Sequence, residues 1–322
     1  MLNPISYHEC DVAVVGGGPA GLAAAVYLAR FLRSVVVFDA GDARAKLIPK
    51  THNCPGFPEG IAGEELLERL RKQAKAFGAS IAEARVASVE TNSGSFVLRT
   101  NAGVTHASRV ILATGIVDKA PTIAGLHRAI AAGSVRLCPV CDAYEAAGQR
   151  IGVVGPERLA LKEALFLRDY SPHVSILSNC PADVSDVTRM KALAAGVEIW
   201  DVVDDLVARD SGFDVIMADG SPAREIDVVY PSMGCDVRSE LAINLGVDCD
   251  EEGYILVGAH LETSVPGLYA IGDVAKALNQ IAVGFGHAAL AAAHIHRALR
   301  ERGTFETQRI RIRDPLVDET EI

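Results

Sequence analysis

No stretch of this chain is apolar for the ~18 residues that a membrane-spanning helix needs. Residues Met1 to Cys10 hold no basic cluster followed by an apolar core, so no secretory leader is read there and a soluble, cytoplasmic protein is expected. Lys and Arg form no block and the formal net charge is −10, which argues against a nucleic-acid partner. A disulfide framework is missing too. The seven cysteines, Cys10, Cys54, Cys138, Cys141, Cys180, Cys235 and Cys249, are odd in number and scattered. Only Cys138 and Cys141 are close, and no second CxxC or spaced His pair supplies the further ligands of a zinc site, so no metal is expected. Short tandem repeats are absent. What remains is a chain of 322 residues, 49% hydrophobic, enough for about two domains with sizeable cores.

The first positive signal is Gly16-Gly17-Gly18-Pro19-Ala20-Gly21. It follows an apolar run, Asp11 to Val15, that reads as a buried strand. It precedes an apolar helix predicted over about Pro19 to Arg33, then a strand, Val35 to Phe38, that ends in Asp39. This is a β-α-β dinucleotide fingerprint in its required context. The first Gly makes the tight turn, the second lets backbone approach a pyrophosphate, and the third lets helix pack on strand. The helix N-terminus offers free N–H groups to phosphates, and Asp39 is placed to hold ribose hydroxyls.

Thr51-His52-Asn53-Cys54-Pro55-Gly56-Phe57-Pro58 is rich in turn formers and reads as a loop. An amphipathic helix is expected from Gly63 to Phe77, and strands at Val86 to Thr91, Ser95 to Thr100 and Ala107 to Leu112. The last runs into Ala113-Thr114-Gly115, small residues that a cofactor can pass closely. Near the C-terminus, Tyr254 to Val257 and the run to Gly272-Asp273 read as strands, and an Ala-rich helix as about Gln280 to Arg300. The charged tail from Gly303 to Ile322 is expected outside the core.

Cys138-Pro139-Val140-Cys141-Asp142 lies between this unit and a second strand–turn–helix beginning at Ile151-Gly152-Val153-Val154-Gly155. Two cysteines three residues apart can close a small disulfide ring, with an acid directly after it. The second unit repeats the architecture of the first without its chemistry. Glu157 stands where the middle glycine is expected, and Ser178, Asn179 and Cys180 follow the next strand without the Arg that a 2′-phosphate needs. The nearest substitute, Arg158, is on the wrong segment.

Together these residues strongly resemble the low-molecular-weight thioredoxin reductase family of flavoproteins, from about Cys10 to Arg300. The resemblance rests on the GGGPAG turn, the loop from Asn53 to Gly63, Ala113-Thr114-Gly115, the CxxCD stretch, and Gly272-Asp273-Val274 followed by Asn279-Gln280. It implies two Rossmann-like α/β domains, the second inserted into the first: residues 1–117 and 250–322 for FAD, 118–249 for the CxxC. It implies a homodimer. It places Gly16, Gly18, Pro19, Ala20 and Gly21 at the FAD pyrophosphate, Asp39 at the adenosine ribose, and Asn53 near the isoalloxazine. Ala113, Thr114 and Gly115 are at the cofactor, and Gly272 and Asp273 at the ribityl-pyrophosphate region. Gln280 and Ile281 open the helix whose N-terminus faces the flavin.

By the same resemblance Cys138 meets the substrate, Cys141 faces the flavin and Asp142 is the acid of the thiol steps. His287 shares a helical face with Gln280 and is either a base or a hydrogen-bonded structural His. His294 and His296 read as structural or interfacial, and Cys54 as near the flavin or as core filler.

The damaged second turn points to the subgroups without an NADPH site: dithiol oxidases that pass electrons to oxygen, and ferredoxin-linked or deeply branching thioredoxin reductases. The expected thiol partner is a small dithiol or disulfide, or a thioredoxin-like protein. The alternatives are an NADPH-dependent thioredoxin reductase with an atypical site, and a flavin redox sensor without turnover.

Overall fold

The computed structural model describes residues 6–178, 184–209 and 211–301. The expected residues Asn179, Cys180 and 303–322 lie outside these. The chain forms two compact units, one of Met1–Lys46, Glu64–Ile116 and Val237–Ile322, the other of Leu47–Gly63 and Val117–Asp236. The second is inserted into the first, as the α/β reading anticipates. One segment falls differently from the expected boundaries: residues 47–63 group with the second unit. There the loop closes on itself through paired Thr51 and Ile61 backbone bonds, and its His52 pairs with Glu145.

In the first unit β1 (Ser6–Val15) runs into α1 (Pro19–Arg30) and returns as β2 (Val35–Phe38). Pro19 opens α1 where its missing N–H costs nothing. The helix ends three residues before the predicted Arg33. Leu32 takes a left-handed φ of 60°, and the N–H of Arg33 bonds back to the Leu28 carbonyl. A Leu in that position carries no sequence signal for a stop. Then come α2 (Gly63–Ala76), β3 (Ser80–Ala82), β4 (Val86–Asn92), β5 (Ser95–Thr100) and β6 (Gly103–Leu112).

The chain leaves through β7 (Ile116–Asp118). The second unit holds α3 (Leu126–Ala131), α4 (Pro139–Asp142), β8 (Ile151–Val154), α5 (Glu157–Leu167), β9 (Val174–Leu177), α6 (Asp186–Ala194) and β10 (Glu198–Trp200). After these come β11 (Val203–Ala208), β12 (Phe213–Met217), β13 (Arg224–Ile226) and β14 (Val228–Pro231). Strands β10-β9-β8-β14 form a parallel sheet in that order, and β11-β12-β13 an antiparallel one. Ile151, Val153, Val174 and Val228 carry the parallel sheet's core with Ala160, Ala164 and Leu167 of α5.

The chain returns through β15 (Cys235–Val237), paired with β7, then α7 (Glu240–Ile243), β16 (Leu268–Ala270) and α8 (Ile281–Glu301). The first unit's sheet has the order β3-β2-β1-β6-β5-β4, with β16 also on β6. β6 is long enough to hold two partners on one edge: its first half pairs antiparallel with β5, its last residues parallel with β16. The predicted strand at Tyr254 to Val257 shrinks to isolated bridges of Ile255 with Cys249 and Ala275. Ile255 is fully buried, but Gly253 turns the chain at a φ of 90°, so no ladder can extend.

Candidate active site and cofactor cradle

Each main sheet reverses the order of its parallel strands at one point, between β1 and β6 in the first unit and between β8 and β14 in the second. Ligands of such sheets bind in the crevice at the carboxyl ends of the strands there.

At the first point the glycines divide the work. Gly16 sits at a φ of 118°, and a Cβ on it would lie 2.2 Å from the Ala113 carbonyl oxygen. A Cβ on Gly21 would lie 2.1 Å from the Gly16 carbonyl oxygen. Both are therefore demanded by backbone packing. Gly18 is different: its φ of −76° suits any residue, and a Cβ there meets nothing within 4 Å. Its bare backbone faces open space, the cradle a pyrophosphate would fill at the start of α1. Gly17 is pressed too, but by a side chain: a Cβ there would lie 2.2 Å from the Asp39 carboxyl carbon, so any substitution must displace Asp39. Asp39 is buried, accepts from the Gly41 N–H at 2.9 Å and pairs with Arg71 of α2 at 2.9 Å. Arg71 is a second functional candidate that sequence spacing does not reveal.

Other predicted residues of the first unit gather round the same edge. Ala113 continues from β6, its N–H bonded to the Val15 carbonyl at 2.8 Å. The Thr114 hydroxyl donates to the Arg238 carbonyl at 2.6 Å. Gly272 and Gly284 pack against Ala20, so α8 meets α1 through small residues. Asp273 lies 3.9 Å from Arg44. Gln280 precedes α8 and accepts from the Gly284 N–H at 3.0 Å. Next to it the Asn279 Oδ1 is buried without a partner. These features fit a dinucleotide cofactor.

The Nδ1 of His287 accepts from the Gly272 N–H at 3.3 Å, and burial lowers its pKa. Through this bond α8 is tied to the Gly272–Asp273 turn. His294 stacks on His260 and meets the Tyr269 hydroxyl, and His296 stacks on Phe31.

At the second point the backbone is equally tight. A Cβ on Gly155 would lie 2.1 Å from the Ser232 carbonyl oxygen. The contents differ. Glu157 is the first residue of α5, and its carboxylate accepts from the N–H (2.9 Å) and the hydroxyl of Ser185. Bonds from Ser185 and Thr188 hold it below the usual carboxylate range. The protein thus places an anion of its own at the start of α5, where the helix dipole favours negative charge. Beyond β9, Arg189 of α6 makes a two-point pair with Asp201, at 2.7 and 2.9 Å.

The redox stretch lies wholly in the second unit. Cys138 and Cys141 are joined by a disulfide, their Cα atoms 5.3 Å apart. Cys138 precedes α4, and the Cys141 N–H bonds to its carbonyl at 2.9 Å. Val140 and Tyr144 beside the pair are exposed. The Asp142 carboxyl receives the Tyr230 hydroxyl at 3.0 Å on Oδ1 and faces Arg136 at 3.4 Å on Oδ2. Burial pushes its pKa up, against Arg136 and Tyr230, which pull it down, and the Glu145 charge adds to the rise. Glu145 itself pairs with His52 at 2.9 Å. Arg136 and Glu145 flank the redox stretch in sequence, whereas Tyr230 and His52 reach it from distant segments that no motif spacing connects. Asn53, its Oδ1 bonded to the Thr51 hydroxyl at 2.7 Å, lies in the second unit with the rest of residues 47–63. Cys54 is buried and its thiol is pushed up by desolvation, which fits core filler.

A family profile described as pyridine nucleotide-disulphide oxidoreductase matches residues 10–298. The chain is similar to the thioredoxin reductase of Mycolicibacterium smegmatis, 32% identical over 82% of this chain and 88% of the relative. It is similar to the NADPH-dependent thioredoxin reductase 3 of Arabidopsis thaliana, 30% identical over 82% of this chain and 53% of the relative. Its fold matches the crystal structure of thioredoxin reductase from Streptococcus pyogenes MGAS5005 with a TM-score of 0.83. That match is 26% identical and covers 92% of this chain and 100% of the other.

Proposed function

Because the chain belongs to the pyridine nucleotide-disulphide oxidoreductase family, we propose that it exchanges two electrons with a dithiol or disulfide through Cys138–Cys141 and FAD, without NADPH. It is a thioredoxin reductase-like flavoprotein disulfide oxidoreductase, and FAD is the cofactor of that family. When bound, FAD supplies the two-electron acceptor or donor that a lone disulfide lacks. Gly16, Gly18, Pro19, Ala20 and Gly21 would hold its pyrophosphate, Asp39 its adenosine ribose, and Gly272, Asp273, Gln280 and Ile281 its other end.

The chain's own chemistry is thiol exchange. A substrate thiolate attacks one sulfur of the pair, the other leaves as a thiolate, and the substrate's second thiol resolves the mixed disulfide. Asp142, beside the pair and held by Tyr230 and Arg136, is the proton donor to the leaving sulfur and the acceptor in reverse.

One observation carries the independence from NADPH: the Glu157 carboxylate, bonded to Ser185, stands at the start of α5. A pyrophosphate there would meet a negative charge in place of a glycine. Thiol partners of this chemistry are small dithiols and thioredoxin-like proteins, and the other electron partner is oxygen or a ferredoxin-like donor. The reading with NADPH as reductant has in its favour the likeness to a relative named NADPH-dependent. Anaerobic titration with NADPH, NADH and a dithiol, following the flavin band, separates the two. The proposal expects bleaching by the dithiol alone. Stoichiometric bleaching by NADPH at micromolar concentration restores the ordinary reductase.

A further inference from the structure

The acid of the redox stretch does not stand alone. Parallel pairing along the outer edge of β14 brings Val135 opposite Val229, and the Arg136 N–H bonds to the Val229 carbonyl at 3.0 Å. Arg136 therefore arrives beside Tyr230, two residues before Cys138. Each oxygen of Asp142 has its own partner: Oδ1 takes the Tyr230 hydroxyl, Oδ2 the Arg136 guanidinium. The same hydroxyl also reaches the Asp142 carbonyl at 3.3 Å, so it fixes backbone and carboxyl together. Burial and the Asp142 charge push the Tyr230 phenol up, and it stays a donor throughout.

One turn on, Glu145 adds negative charge near this acid. Its Oε1 is 2.9 Å from His52 Nδ1, and its Oε2 is buried without a partner. The His52 ring is seated against Gly60, where a Cβ would lie 2.6 Å from the ring. Packed on α4, α5 carries Glu157, Arg158, Lys162 and Glu163; Glu157 is tied to Ser185 and Glu163 lies beside Ser232.

Resting on the thiol–disulfide reading, we propose that Arg136, Tyr230, Glu145 and His52 are positioning residues that frame the Asp142 carboxyl and govern its proton. Arg136 and Tyr230 favour the carboxylate. Glu145 favours the acid, and His52, paired with Glu145, offsets it. The frame serves the step in which the Cys138–Cys141 bond breaks. The substrate thiolate forms a bond to one sulfur, the electron pair of the broken bond goes to the other, and the Asp142 proton follows it. The dithiol is the reductant and the enzyme disulfide the oxidant, so electrons balance.

The frame makes opposite predictions for its members, which a scaffold role would not. The test is anaerobic stopped-flow reduction of the holoenzyme by dithiothreitol across roughly pH 5–9, which reads the acid–base limb of a thiol step. The ratio of variant to wild-type rate cancels the ionisation of the dithiol itself. Arg136→Gln and Tyr230→Phe are expected to move the Asp142 limb to higher pH, and Glu145→Gln to lower pH. Each should change the rate on the limb by about three- to tenfold, up to one pKa unit. His52→Gln should follow Arg136→Gln in direction, and Arg136→Lys should recover much of the wild-type profile. Arg136→Lys and Glu145→Gln keep the volume, so they report even if Arg136→Gln does not fold. Limbs that stay in place, or all move one way, overturn the frame. A wild-type enzyme that dithiothreitol does not reduce overturns the thiol–disulfide reading beneath it, a distinct result.

Discussion

On the proposed function Gly18 is the residue on which cofactor binding turns, and its neighbours differ from it in what their side chains would meet. A side chain at Gly16 or Gly21 collides with backbone, so the fold itself needs those glycines. A side chain at Gly18 collides with nothing. Gly18→Val should therefore fold yet purify without FAD, by absorbance and circular dichroism; full occupancy would remove the residue from the pyrophosphate site. Cys138→Ser or Cys141→Ser should abolish dithiol turnover while FAD stays bound, and a single-Cys variant with normal turnover would dismiss the pair as the redox centre. On the proposed mechanism Asp142→Asn deletes a proton carrier rather than a nucleophile, so it should slow the thiol steps by ~10²–10⁴-fold with the disulfide intact. An unchanged rate and pH profile would take Asp142 out of the mechanism. Glu163 gives a separate pH test. Burial lifts its carboxyl from 4.5 to about 7, while Ser232 and Lys162 pull it down. The raised folded pKa means its favourable contribution is whole below pH 4.5 and is lost as pH rises through about 7. Glu163→Gln should thus gain stability relative to wild type above neutral pH, read as Tm against pH.

At the scale of elements, α1 and α8 approach through Ala20, Gly272 and Gly284. A Cβ at Gly284 is already 3.2 Å from that of Ala20, and a larger chain has nowhere to go. Gly284→Leu should cost about 1–3 kcal/mol of stability, as overpacked cores do. Thermal unfolding checks it, and an unshifted Tm would mean the helices separate freely there. The second unit shows a helix end satisfied internally. Glu157 opens α5 and ties to Ser185, which caps α6 through its hydroxyl at the Thr188 N–H. One carboxylate thus joins the beginnings of two helices and leaves the α5 end with an anion already in place.

The whole molecule repeats one architecture with two different outcomes. Both main sheets reverse the order of their parallel strands beside a glycine pressed against the carbonyl that follows the neighbouring strand, Gly16 on Ala113 and Gly155 on Ser232. The first cradle is open at Gly18; the second turn carries Glu157. The purified protein should be yellow with one FAD per chain, and equilibrium dialysis should find no tight second dinucleotide. Two equivalents bound per chain would contradict the closed second cradle.

Read alone, the sequence determines the local chemistry. A glycine pattern after a strand, an acid at the end of the next one and two cysteines three residues apart all act through neighbours a few residues away, so spacing suffices to name them. The exchange of the middle glycine for Glu157 is visible for the same reason. The partners of those residues are not. Tyr230 meets Asp142 across 88 residues because β14 lies next to β8 and the run into Cys138 lies along the outer edge of β14. That adjacency comes from the order of strands in a parallel sheet, and alternating hydrophobicity says nothing about which strand becomes the neighbour. His52 likewise joins the CxxC unit because its loop packs there, against the chain order that suggests the first unit. The end of α1 comes from a left-handed angle at Leu32, a residue type that carries no stop signal, and Tyr254–Val257 shrinks to bridges beside the Gly253 turn. Local spacing therefore names the reacting groups, and only the assembled sheets decide which charges surround them.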